Sequence, residues 1–231
     1  MASTWEQLMA SADQAYRQGD LDSAQGFWLQ AVNVAEQNDE MKKAAMTLDR
    51  FADALIEQKR FEDAGPVFEM AVETKSAVYG PNSMELLSSL NGWVDSLFEQ
   101  KKFDEALPVA RRQLESYKTM FGEEHPGAAA IATNLASKYH EAQHPDAEEF
   151  YKQALAIKTK TLGYKHADVT SLSQKYASYL KAMGRNEEAE AVLESMVSSV
   201  SGVWKTVAAK MDKRGEKLTD GHLGKHSSDN N

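Results

Sequence analysis

The chain has 231 residues, of which 42% are hydrophobic and 26% charged, with a formal net charge of −9. That length suits one large domain or two small ones with ample material for a core, and the absence of cysteine excludes a disulfide framework, a Cys-ligated metal and a thiol nucleophile. The acidity lies before residue 205, because residues 205–231 carry six Lys/Arg against four Asp/Glu. An acidic body argues against a nucleic-acid partner, since affinity for phosphates comes from clustered Lys and Arg.

Taken from the N-terminus, Met1 to Ser11 includes Glu6 and no apolar run of the length a signal peptide or membrane span needs. A soluble, unprocessed, cytoplasmic chain with no membrane contact is expected. One pattern then recurs along the chain: Gly19-Asp20-Leu21-Asp22-Ser23-Ala24, Lys59-Arg60-Phe61-Glu62-Asp63-Ala64 and Lys101-Lys102-Phe103-Asp104-Glu105-Ala106, followed by degenerate copies ending in Ala147 and Ala189. The five anchoring alanines recur every 40 to 42 residues, which identifies an internal repeat.

Upstream of each anchor the apolar residues keep helical spacing, as in Leu48, Phe51, Ala52 and Leu55 or Leu90, Trp93, Val94 and Leu97; downstream the same holds for Ala64, Phe68 and Ala71 and for Ala147, Tyr151, Ala154 and Ile157. Each unit is therefore expected to be an antiparallel helix hairpin. The small anchor lets two backbones approach, and an aromatic residue four positions later fills the space beside them. Between units, Gly80, Gly122 and Gly163 begin similar turns, and His125 and His166 stand in two of them, where capping or packing of the next helix is expected.

Leu135-Ala136-x-x-Tyr139 followed by Ala147-x-x-x-Tyr151 resembles the tetratricopeptide repeat (TPR). The lengthened unit, with Gly122-x-x-His125-Pro126 and Asn134-Leu135-Ala136, resembles the variant of kinesin light chains and related bacterial proteins. The resemblance implies an all-α fold, a right-handed α-α superhelix of five helix hairpins. The expected units are 3–38, 41–79, 83–121, 126–162 and 167–200, followed by a capping helix at 201–213. Together, 1–213 form the solenoid and 214–231 a polar, disordered tail. The methionines, such as Met46, Met70 and Met196, read as core gap-fillers.

The one sharp catalytic motif is His140-Glu141-Ala142-Gln143-His144, which satisfies the H-E-x-x-H pattern of zinc peptidases. Pro145 follows at once, His144 falls in an inter-helix turn, and no third ligand stands at the spacing of the longer motif. His140 is expected on the concave wall instead. No phosphate loop, nucleophile elbow or calcium loop is present, so no enzyme activity, no cofactor and no metal is expected. A zinc metallopeptidase stands as the alternative, beside a structural subunit self-associating through apolar surface near Trp5, Phe27 and Trp28.

The resemblance also implies which residues face the groove of such a solenoid: Asp49, Arg50, Asp53 and Glu57 in unit two, Asn91, Asp95 and Phe98 in unit three, Asn134, Ser137 and His140 in unit four, and Gln174 and Lys175 in unit five. This wall is acidic over three units, unlike the basic groove of kinesin light chains, so the expected partner is a protein or peptide carrying basic residues. Asn side chains there can bond both donor and acceptor of an extended backbone. A monomer is favoured.

Overall fold

The computed structural model describes residues 3–194. The expected capping helix at 201–213, the tail at 214–231, Met196 and the end of unit five lie outside the described residues. Among the described residues two compact units are present, one before and one after the boundary between Ile157 and Lys158.

In the first unit, helices follow one another in hairpins: α1 (Trp5–Arg17) with α2 (Leu21–Gln37), α3 (Met41–Glu57) with α4 (Phe61–Tyr79), α5 (Met84–Glu99) with α6 (Phe103–Phe121), and α7 (Pro126–Glu141) with the start of α8 (Ala147–Leu162). The second unit holds the end of α8, then α9 (Ala167–Ala182) and helical backbone at 186–194. The starts of α1, α2, α5, α7 and α9 are fixed by side chains that take up otherwise orphaned backbone donors. Thr4 and Gln7 form a capping box on α1, Asp20 accepts from Ser23 N at 3.0 Å, and Ser83 accepts from Leu86 N at 3.3 Å.

His125 and His166 belong to this set, as the sequence suggests. The Nδ1 of each accepts the backbone N–H two residues on, at 3.0 Å from Gly127 and 3.2 Å from Asp168. Tyr117 packs at a tilt against His125, and a Cβ at position 127 would lie 2.0 Å from the Tyr117 hydroxyl. A side chain at position 127 would thus have to displace the Tyr117 ring.

The turn inside each hairpin reverses the chain through one left-handed residue: Gly19, Lys59, Lys101, Gln143 and Gly184, with φ between +54° and +81°. Two of the five are glycine, and the other three hold a side chain in a conformation that L-residues resist.

Ala24, Ala64, Ala106, Ala147 and Ala189 are all fully buried, as close helix approach requires. The aromatic residues four positions on, Trp28, Phe68 and Tyr151, are buried too. Removing one such ring from water contributes about 1.5–3 kcal/mol. Trp28 stacks on Phe51 at 5.4 Å between centroids, so it cannot belong to the exposed patch on which the self-association alternative rests. Trp5 and Phe27 are half-buried, and the Trp5 indole donates to Thr47 Oγ1 at 3.0 Å.

The methionine reading also needs correction. Met46 is 56% exposed and Met70 38%, so neither fills the core. Met46 precedes Asp49 and Asp53 by one and two turns of α3 and shares their outward face. Phe61 and Phe103 of the recurring pattern are the first residues of α4 and α6.

Candidate functional site

The residues expected to line a groove sit on the first helices of their hairpins. In the first unit these are α3 for Asp49, Arg50, Asp53 and Glu57, α5 for Asn91, Asp95 and Phe98, and α7 for Asn134, Ser137 and His140. Gln174 and Lys175 are exposed on α9 of the second unit.

Most of the first-unit set is engaged with neighbouring helices. Arg50 of α3 pairs with Asp13 of α1 at 2.7 Å, and the Tyr16 hydroxyl donates to Glu57. That bond raises the tyrosine pKa above its ordinary value. Asp49 Oδ1 accepts from the Lys75 ammonium of α4 at 2.6 Å and from Ser89 Oγ of α5 at 3.2 Å. Lys75 and Ser89 lie 2.8 Å apart, the approach of a serine–lysine pair. Both are buried and the ammonium is committed to Asp49, so the pair offers no free base and no accessible nucleophile.

The amide of Asn91 is spoken for on both sides: its Oδ1 accepts from Gln113 of α6 and its Nδ2 donates to Asp95, each at 3.1 Å. One N–H and one lone pair remain on it for anything else. Asp95 Oδ1 lies 3.0 Å from the Lys138 ammonium of α7, which also stands 5.6 Å over the Phe98 ring. Phe98 meets Tyr139 edge-on at 4.7 Å. Ser137 donates to the Thr133 carbonyl within its own helix, and His140 Nδ1 lies 2.8 Å from the Tyr151 hydroxyl.

Two residues stand apart. Asp53 is exposed and makes no hydrogen bond or ion pair among the described residues, and Asn134 is likewise exposed and unpaired. Desolvation by the atoms around Asp53, followed by the negative charges of Asp49 and Glu57 one turn away on either side, raises its pKa above the ordinary 3.8. Asp53 is thus a carboxylate of the α3 face with no partner of its own, only partly offset by the more distant Lys75 and Arg50.

The H-E-x-x-H motif does not form a zinc-peptidase geometry. The helix α7 ends at Glu141, and Gln143 turns left-handed at φ +54°, so His140 and His144 are not one helical turn apart on one face. His140 turns to Tyr151. His144 turns instead to Asp104 and Asp146, at 3.2 and 3.1 Å from its two ring nitrogens.

Spacing along one helix could not find Lys75, Gln113 and Lys138, whose partners lie 26, 22 and 43 residues away. One signal for Lys75 was present: it follows Phe68, Ala71 and Val72 at helical spacing on a buried face, where a charge needs a partner. A cleft of about 520 Å³ between the α2–α3 turn and the end of α4, lined in part by Asp39, Met41, Lys42, Ala77 and Val78, contains none of the expected groove residues.

Residues 85–160 match the tetratricopeptide repeat family. No curated protein matches the sequence. Among solved structures, BtubC (BKLC) from P. vanneervenii is 20% identical with a TM-score of 0.53, the alignment covering 98% of this chain and 87% of that one. A kinesin-light-chain-type structure of nearly identical TPR-like repeats from Podosopora anserina is 19% identical with a TM-score of 0.55, covering 85% of this chain and 94% of that one. At such identities the likeness concerns the fold: an all-α repeat architecture of the TPR kind. Among the described residues no helix is long and apolar enough to cross a membrane.

Proposed function

We propose that this tetratricopeptide-repeat chain is a non-enzymatic scaffold that holds a basic segment of another protein against the exposed face of α3 and α5. Repeat folds of this kind generally bind proteins, whereas the particular partner is a matter of side chains on the site. The observation that carries the reading is Asp53, an exposed carboxylate with no partner of its own, placed between Asp49 and Glu57 on one face of α3. A Lys or Arg from a ligand would relieve the mutual repulsion of these three charges while keeping its own charge near water. The exposed amide of Asn134 offers a donor and an acceptor to an extended backbone. We read the chain further as cytoplasmic, on its cysteine-free composition.

The test must spare the wall's own pairs. Charge reversal at Asp49 or Asp95 would unpair Lys75 or Lys138 and confuse binding with folding, whereas Asp53 has no partner to lose. The full chain, its Asp53→Lys variant and a Glu115→Lys control on the exposed side of α6 serve as baits in affinity purification with mass spectrometry. The expected result is a partner set kept by Glu115→Lys and lost by Asp53→Lys. Partners retained by both variants remove the α3 face from consideration.

A further inference from the structure

The turn that ends α7 gathers three metal-type donors from segments about 40 residues apart. His144 Nε2 lies 3.2 Å from Asp104 Oδ1 at the start of α6, and His144 Nδ1 lies 3.1 Å from Asp146 Oδ2 just before α8. One ligand atom from each of the three residues falls within 4.8 Å of the other two. We propose that Asp104, His144 and Asp146 form a binding site for a divalent transition cation of the Zn²⁺ kind, tying the start of α6 to the α7–α8 turn.

The donor chemistry selects the class of ion. An imidazole nitrogen with carboxylate oxygens suits Zn²⁺ and its neighbours, whereas Ca²⁺ and Mg²⁺ take oxygen ligands. Two of the donors are already held in place. The His144 side chain is 17% exposed and its ring packs between Phe103 and Tyr139, at 5.9 and 5.4 Å, while Asp146 is 25% exposed. The third, Asp104, is 95% exposed and free to adjust. That freedom matters, because metal bonds near 2.1 Å place neighbouring donors about 3.3 Å apart, and Asp104 can close to that spacing without moving the backbone.

The two carboxylates that flank the His144 ring give the site a negative charge that favours a cation. The site also gives His144 a role different from the peptidase ligand its sequence motif suggests. It shares no donor with the α3 face, so it stands or falls separately from the proposed scaffold function.

Titration of the metal-free full chain with ZnCl2 by calorimetry tests the site. One saturable equivalent is expected. Asp104→Asn, at an exposed position that leaves the fold untouched, weakens binding about tenfold or more, and His144→Ala abolishes it. His140→Ala and the double variant His222→Ala/His226→Ala keep it, which separates the site from the sequence motif and from the C-terminal histidines. Binding that Asp104→Asn leaves unchanged, that is lost with the C-terminal double variant, or that is absent up to millimolar zinc overturns the proposal. Because His144 also packs on Tyr139, the Asp104 variant decides if His144→Ala fails to fold.

Discussion

Lys75 Nζ of α4 lies 2.6 Å from Asp49 Oδ1 of α3, with the lysine side chain 4% exposed and the aspartate 41%. A charge on the helix surface is therefore fixed from beneath. The ammonium also donates to Ser89 Oγ at 2.8 Å and to the Glu85 carbonyl at 2.9 Å, so its three protons are satisfied by α3 and α5 together.

The two partners of this pair should respond unequally to removal. Asp49→Ala leaves a buried cation with two neutral acceptors and is expected to cost about 3 kcal/mol of folding stability. Lys75→Met removes the buried charge, fills a similar volume and leaves a carboxylate that water can reach, so a smaller loss is expected. Urea denaturation of both variants measures the difference. Equal losses would contradict the asymmetry.

Lys59 and Lys101 occupy left-handed turn positions at φ +56° and +59°, where the corresponding residues of the first and fifth hairpins are Gly19 and Gly184. Lys59→Gly and Lys101→Gly are each expected to stabilise the fold by about 1 kcal/mol. The reverse change, Gly19→Ala, should cost a similar amount from backbone strain alone, since a Cβ there meets nothing within 4 Å. Thermal melts of the three variants check the paired signs.

Asp53 supplies a pH dependence. Its pKa is raised in the fold, so the folded state binds more protons than the unfolded one as pH passes from the ordinary 3.8 up to the raised value. Asp53 therefore opposes folding increasingly across that window and by a constant amount above it. Asp53→Asn is expected to raise the melting temperature slightly at pH 7 and to lose that advantage below about pH 4. An advantage that persisted undiminished in acid would have another cause.

The repeat was legible because it is written in local patterns: an anchor alanine every 40 to 42 residues with helical apolar spacing on both sides. Trp28 obeys that pattern, four residues after Ala24, and the rule for aromatic filling places it in the core more reliably than its size suggests a surface patch. Met46 shows the opposite failure. Hydrophobicity alone put it inside, although its register with Asp49 and Asp53 puts it outside. The state of the candidate wall was not legible, because whether Asp49, Asn91 or Asp95 is available depends on Lys75, Gln113 and Lys138. Those side chains reach it from other helices, and only the packing decides which of them arrive.

The wall's own ion pairs bear on how any cationic ligand would read it. Asp13, Asp49 and Asp95 already hold Arg50, Lys75 and Lys138, so recognition there becomes an exchange in which a ligand's charge must displace a resident one. Added salt weakens the resident pairs and the incoming ones alike. Binding to this surface should therefore depend on ionic strength less steeply than a count of its carboxylates implies, with Asp53 as the residue at which the full effect of screening is felt.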